Sequence, residues 1–176
     1  MRALVVVESM FGNTKEIAAA VADGLGETTR VDLIEVNDAP PELGVDVRML
    51  VVGGPTHAFG MSRPATRRDA TAQAGRDPTT AGIGIREWLE RLGPGSYPCL
   101  AASFDTRIAS PRVPGSAARG AQKRLKKLGF RTAMPAESFY VNGTPGPLVD
   151  GELERARRWG ALLGSALQGA PRAPTG

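Results

Sequence analysis

The six residues Ser9-Met10-Phe11-Gly12-Asn13-Thr14 bring two hydroxyls, a carboxamide and a glycine into one short turn. Placed after a buried strand and ahead of a helix, such a turn can surround a phosphate with hydroxyls and backbone N–H groups, and it needs no cation to do so. The first lysine is Lys15, so the two glycines followed by Lys-Ser/Thr that hold a nucleoside triphosphate are missing, and no Gly-x-Gly-x-x-Gly stands here for a dinucleotide. Purine nucleotide hydrolysis is therefore not expected; a monophosphate held permanently suits the loop. The same residues also suit an ordinary strand-to-helix turn capped by Ser9 or Asn13. His57, the single histidine, follows Gly53-Gly54-Pro55-Thr56. There it could hydrogen-bond a ligand, pass a proton near neutral pH, or only shape the loop. Phe59, beside Gly60, is an apolar ring in a polar, glycine-rich stretch, which favours stacking on a flat ligand. Phe104 ends an apolar run and suits either stacking or core.

These groups act together only if the fold delivers them to one place. Residues 3–7, 31–36, 47–52 and 98–104, with a segment inside 131–141, read as short buried strands. Between them, apolar residues recur at helical spacing: Ile17, Val21 and Leu25; Ile85, Trp88, Leu89 and Leu92; Ala118, Ala121, Leu125 and Leu128. A last helix starts at Asp150, well placed as its cap, and turns Leu153, Ala156, Leu163 and Leu167 inward. Residues 37–46 hold two prolines and are too short for a crossover helix, so a single turn is expected there. The alternation predicts one three-layer, doubly wound α/β domain over residues 1–168, with a five-stranded parallel sheet and a frayed tail at 169–176. Sheets of this kind bind ligands beyond the carboxyl ends of their strands. The turns carrying Ser9 to Thr14, Pro55 to Gly60 and Ser103-Phe104-Asp105-Thr106-Arg107 should thus meet at one cleft.

Composition narrows the chemistry further. A chain of 176 residues, 41% apolar and 23% charged, can bury a core without staples. One cysteine and one histidine exclude a zinc ribbon, a haem-attachment motif and a cysteine-ligated iron–sulfur cluster, while oxygen-ligated magnesium stays open. Cys99 opens the fourth strand, far from the carboxyl-end cleft, and reads as an inert buried thiol. The longest apolar run, residues 3–7, is far short of the roughly 18 that a membrane helix needs, and Glu8 ends it where a signal peptide would continue. A cytoplasmic protein with no membrane partner is expected. Net charge is +4, but acidic residues are spread through most of the chain, which argues against nucleic acid. Lys123, Arg124, Lys126 and Lys127 read as the solvated face of a helix.

The sequence resembles the flavodoxins. Ser9-Met10-Phe11-Gly12-Asn13-Thr14 is similar to their phosphate loop, Gly53-Gly54-Pro55-Thr56-His57 to the start of their second flavin loop, and the order of elements agrees from residue 1 to about 167. The resemblance implies a five-stranded order 2-1-3-4-5 and bound FMN. Ser9, Gly12, Asn13 and Thr14, with Met10 and Phe11 in the same loop, would meet the phosphate. Pro55, Thr56, His57, Phe59 and Gly60, and Ser103, Phe104, Asp105, Thr106 and Arg107, would lie beside the isoalloxazine. Phe11 stands where many flavodoxins have a hydroxyl residue and is similar to flavodoxin-like quinone reductases and to the flavin modules of flavodiiron proteins. These loops also lack the Trp and Tyr that commonly sandwich the ring.

The resemblance implies FMN-dependent electron transfer, with a redox partner protein or a small-molecule acceptor and a reduced nicotinamide as a possible donor. A carrier, a quinone-type reductase and a cofactor-free binding module share the pattern. The segment 55–60 has no acidic residue, and Asp105 stands near Arg107 and Arg112, so a raised hydroquinone potential is expected. Residues 61–82 exceed what a connection requires and carry Arg63, Arg67, Arg68 and Arg76. They read either as a lid for an anionic partner or as a solvated insertion with a short helix at 65–73.

Overall fold

The computed structural model describes residues 1–57, 59–77, 81–111 and 114–170. Strands β1 (Arg2–Val7), β2 (Arg30–Glu35), β3 (Val47–His57) and β5 (Leu100–Ile108) run parallel, and β4 (Gly60–Met61) is a short antiparallel return along the end of β3. β6 (Arg131–Thr132) and β7 (Glu137–Val141) both pair with β5 and form one interrupted outer strand. Taken so, the sheet has the expected 2-1-3-4-5 order. In β1, Ala3, Val5 and Val7 face α1 (Asn13–Gly26) and α5 (Glu152–Gly169), whereas Leu4 and Val6 face α3 (Ile85–Leu92) and α4 (Ala117–Leu128). Helices on both faces explain why these strands read as unbroken apolar runs. The segment after β2 holds the expected single turn, a 3-10 helix at Val36–Asp38.

Three expectations are corrected. β3 and β5 run past the predicted ends, to His57 and Ile108, so most residues assigned to loops sit on strand ends. Pro55 is tolerated in β3 because β1 ends opposite Gly53, leaving no strand to require a Pro55 N–H. At the last helix, Gly151 at φ 84° precedes the first turn and Asp150 does not cap it. The inward stripe of α5 is Glu152, Ala156, Trp159 and Leu163, which leaves Leu153 on the flank at 45% exposure. The helix continues through Gly169, and the remainder of the expected tail, 171–176, lies outside the described residues.

The long connection after β4 is folded onto the sheet by a polar core. It contains α2 (Pro64–Gln73), close to the expected helix, and its Arg67 is only 5% exposed. Arg67 Nη1 donates to the Ser62 hydroxyl at 2.8 Å, Nε to the Gly82 carbonyl at 2.9 Å, and Nη2 lies 3.1 Å from Glu87. Ser62 in turn donates to Glu8, whose other oxygen accepts the Ile85 N–H at 2.9 Å. Burial pushes the Glu8 carboxyl above its usual range although Ser62, the Ile85 N–H and Arg67 pull the other way. Arg67 is thus not a lid residue open to an anionic partner. Arg67→Ala should cost about 3 kcal/mol, because it leaves two carboxylates without their cation. Arg68→Ala, on the exposed face, should stay within about 0.5 kcal/mol. Urea unfolding of both variants checks the contrast.

Candidate functional site

The turn after β1 is shaped from within. Ser9 Oγ accepts the N–H of Gly12 at 3.2 Å and of Lys15 at 3.4 Å, and Gly12 takes φ 96° at the start of α1. A left-handed residue closes the loop there, which glycine adopts at little cost. Arg76, after α2, donates to the Met10 carbonyl and braces the turn from outside. The N–H groups of Asn13 and Thr14, in the first turn of α1, have no partner among the described residues, as helix geometry requires unless a cap or ligand supplies one. The Thr14 hydroxyl is buried and shares a 2.7 Å hydrogen bond with the Thr106 hydroxyl at the end of β5. One of that pair donates to the other, so one proton of the two is left for a ligand. Lys15 points away and pairs with Glu35 at 2.6 Å. This end of the cleft offers neutral donors and the positive end of a helix.

The opposite end is built by β3, β4 and β5. Asp105 has no exposed surface, and its Oδ2 accepts from the Thr56 hydroxyl at 2.8 Å, the Ser116 hydroxyl at 2.6 Å and the Ala118 N–H at 3.0 Å. Thr56 Oγ1 accepts the Ala117 N–H at 2.8 Å, and Ser116 caps α4 by accepting from Arg119. The carboxylate therefore fastens two strand ends to one helix start. Pairing of Thr56 with Met61 and of His57 with Gly60 makes a tight hairpin. At its tip Phe59 is 61% exposed at φ 71°, a conformation that non-glycine residues rarely hold unless their surroundings fix it. Gly115 supplies the fixing contact: a Cβ there would come within 1.9 Å of the Phe59 carbonyl oxygen.

Between these ends lies a cleft of about 300 Å³. It brings together Met10, Phe11, Asn13 and Thr14 from the first turn, Pro55, Thr56, His57 and Phe59 from the second, and Thr106 and Arg107 from the third. Ile108, Val141 and Thr144, which sequence reasoning missed, complete the wall. Ile108 and Val141 were hidden because an apolar residue at a strand end reads as core. Ser9, Gly12, Gly60, Ser103 and Asp105 are not among the lining residues: Ser9, Gly12 and Gly60 are half-buried, and Ser103, fully buried, donates to the Ala118 carbonyl. Phe104, weighed as a ring-stacking residue, belongs to the core. It is 1% exposed, meets Phe139 and Trp159 edge-on at 6.0 and 6.1 Å, and fills the space left by Gly53. Of the two rings weighed for stacking, Phe59 is the one that lines the cleft. Arg112 and residue 58 lie outside the described residues.

His57 Nε2 is buried with no hydrogen-bond partner among the described residues. Burial pulls its pKa below the usual histidine range, so the imidazole is neutral at pH 7. Cys99 is 4% exposed at the far end of the sheet, its thiol pushed up to about 11 by burial, as its expected inertness requires. Among the described residues no cluster of His, Cys, Asp or Glu could hold a metal, and no helix is long and apolar enough to cross a membrane.

Solved structures share this architecture along almost the whole chain. Flavodoxin 2 from Bacillus cereus superposes with a TM-score of 0.68 over 94% of this chain and 99% of its own, at 17% identity. The oxidised Flavodoxin 1 of the same organism gives 0.66 over 93% and 97%, also at 17% identity. This chain has the flavodoxin fold. The rubredoxin oxygen:oxidoreductase of Desulfovibrio gigas gives 0.63 at 14% identity, covering 95% of this chain but 36% of that one, so there the flavodoxin fold is one part of a larger protein. The sequence itself matches no family model and no curated protein.

The resemblance of the loops to those of flavodoxins implies FMN, and the cleft can be tested against that ligand. Neutral donors and helix N–H groups share the cleft with the apolar side chains of Pro55, Ile108 and Val141, and the buried Nε2 of His57 lacks a partner among the described residues. The residues fit a flat ring carrying a phosphate. Gly115→Ala should expel the Phe59 tip and destabilise the protein by about 1–3 kcal/mol, as overpacking does. Gly60→Ala, whose Cβ would meet nothing within 4 Å, should stay within about 0.5 kcal/mol. Urea midpoints give the cost, and amide chemical shifts at Phe59 to Met61 show whether the hairpin moved.

Proposed function

We propose that this protein binds FMN in the cleft and passes electrons between a reductant, such as a reduced nicotinamide, and a redox partner protein or small-molecule acceptor. The observation that carries the reading is the pairing, in one cleft, of unpartnered helix N–H groups with an apolar wall that holds an unpartnered imidazole. Bound FMN supplies the redox chemistry, accepting electrons singly or as a hydride and releasing them again. The chain's part is to bind, orient and tune. The first turn of α1 and the Thr14–Thr106 hydroxyl pair hold the phosphate, Pro55 and Val141 exclude water from the ring, and Phe59 covers it at the mouth.

His57, neutral at pH 7, can donate or accept one hydrogen bond at Nε2. No carboxylate lines the cleft among the described residues, whereas Arg107 does. Asp105 is buried outside the lining, with Oδ2 taken by three hydrogen bonds and Oδ1 without a partner among the described residues. A lining without carboxylates disfavours an anionic reduced ring less than an acidic lining would, which is the basis of the raised potential expected from the sequence.

Thr14→Ala should weaken FMN by about 0.5–1.5 kcal/mol, the value of one hydrogen bond, and leave riboflavin unchanged because riboflavin has no phosphate. Fluorescence titration with the two ligands measures the difference. Equal losses would show that the first turn does not hold the phosphate.

A further inference from the structure

Charge is distributed very unevenly over this fold. Residues 59–130 hold 13 basic and 5 acidic residues, while residues 1–58 hold 4 basic and 9 acidic. The first group builds α2, α3 and α4, and the second builds α1 and the β2 edge. α3 and α4, which together cover one face of the sheet, carry seven basic and two acidic residues. On the basic side Glu87 is paired with Arg67 at 3.1 Å, Glu90 with Arg124 at 2.7 Å, and Asp105 is hydrogen-bonded at the start of α4. Arg63, Arg119, Lys123, Lys126 and Lys127 are exposed and have no ion-pair partner among the described residues.

This basic surface reaches the mouth of the cleft. Gly115 abuts the backbone of Phe59, and a Cβ on Gly120 in α4 would touch Met61 at 3.4 Å. Arg86 donates to the carbonyls of Met61 at 3.2 Å and Ser62 at 3.3 Å, and Arg63 follows directly. An exposed aromatic ring beside exposed cations is the composition of a protein interface, an apolar anchor with a charged rim, rather than of a groove tracking a nucleic acid backbone. We propose that the surface formed by Phe59, Arg63, Arg119 and Lys123 docks an acidic redox protein against the cleft mouth. The inference rests on the FMN reading for its redox consequence. Each reduced flavin holds two electrons and gives them one at a time to two partner molecules, each of which is reduced by one.

The test uses cytochrome c in its native basic form and after succinylation of its lysines, which makes the same haem protein acidic. Photoreduced FMN-loaded protein is mixed with either form under anaerobic stopped flow at low and high salt. The acidic form should react at least about tenfold faster at low salt, with the advantage fading as ionic strength rises. Arg63→Glu/Arg119→Glu/Lys123→Glu should remove or reverse that preference while leaving FMN affinity unchanged. The apoprotein should likewise bind the acidic form, seen as a Soret difference spectrum, and lose that binding in the triple variant. Faster reaction with native cytochrome c, or a triple variant that keeps the preference, overturns the proposal. Equal binding of both forms by an apoprotein whose same three residues retain a DNA duplex would make the surface a nucleic acid site and overturn it as well. If FMN fails to bind, the flavin reading falls, and the apoprotein measurement still decides the docking surface.

Discussion

Asp105 Oδ2 accepts hydrogen bonds from the Thr56 hydroxyl, the Ser116 hydroxyl and the Ala118 N–H, and everything at the cleft mouth depends on that convergence. Thr56 belongs to β3, Asp105 to β5, and Ser116 and Ala118 to the start of α4, so one carboxylate fixes the relative heights of three elements. Its negative charge is favoured at the positive end of α4. With β3 and α4 so fastened, Gly115 comes against Phe59, and the hairpin tip has one place to go. The next residue, Thr106, meets Thr14 across the cleft and ties the same strand to the first turn of α1. Two adjacent residues of β5 therefore set both ends of the cleft.

A second polar core works behind the first turn. Glu8 follows β1 and immediately precedes Ser9, and its carboxylate is held by Ser62 and the Ile85 N–H with Arg67 close by. The long connection after β4 is thus part of the support of the turn, and Arg76 adds a bond to the Met10 carbonyl. Preorganised N–H groups can act on an anion only if the backbone carrying them stays in place, and these contacts keep it there. The arginines of this segment divide by contact: buried Arg67 stabilises, exposed Arg76 braces the Met10 carbonyl, and Arg63 and Arg68 face solvent.

The strand and helix order was legible because residues 3–7 of β1 and 49–52 of β3 are unbroken buried apolar runs and the helices repeat apolar residues at four-residue spacing, although β2, at the sheet edge, buries none of its residues. The first turn was legible because hydroxyl, glycine and amide in that order suit a tight strand-to-helix turn. Strand lengths were not, since Gly53-Gly54-Pro55 reads as a turn, and only the neighbouring strands reveal that β3 has a partner on one side there. Phe104 was ambiguous for a related reason: which face a strand-end ring occupies depends on Gly53 making room for it, a contact between residues 51 positions apart. Arg67 could not be read from sequence at all, because nothing in its neighbourhood shows that Glu8 and Glu87 converge on it. Gly115 looks like any loop glycine until the hairpin tip is seen against it.

The central claim is that the cleft between the first turn of α1 and the ends of β3 and β5 holds FMN. Fluorescence titration of FMN with the purified apoprotein tests it most directly. The account predicts saturable one-to-one binding, with ring emission altered by contact with Phe59 and the apolar wall, and a Kd at or below about 1 μM, or roughly 8 kcal/mol of binding free energy. A protein that leaves FMN emission unchanged at concentrations on the order of 100 μM, where binding would be worth less than about 6 kcal/mol, would contradict it.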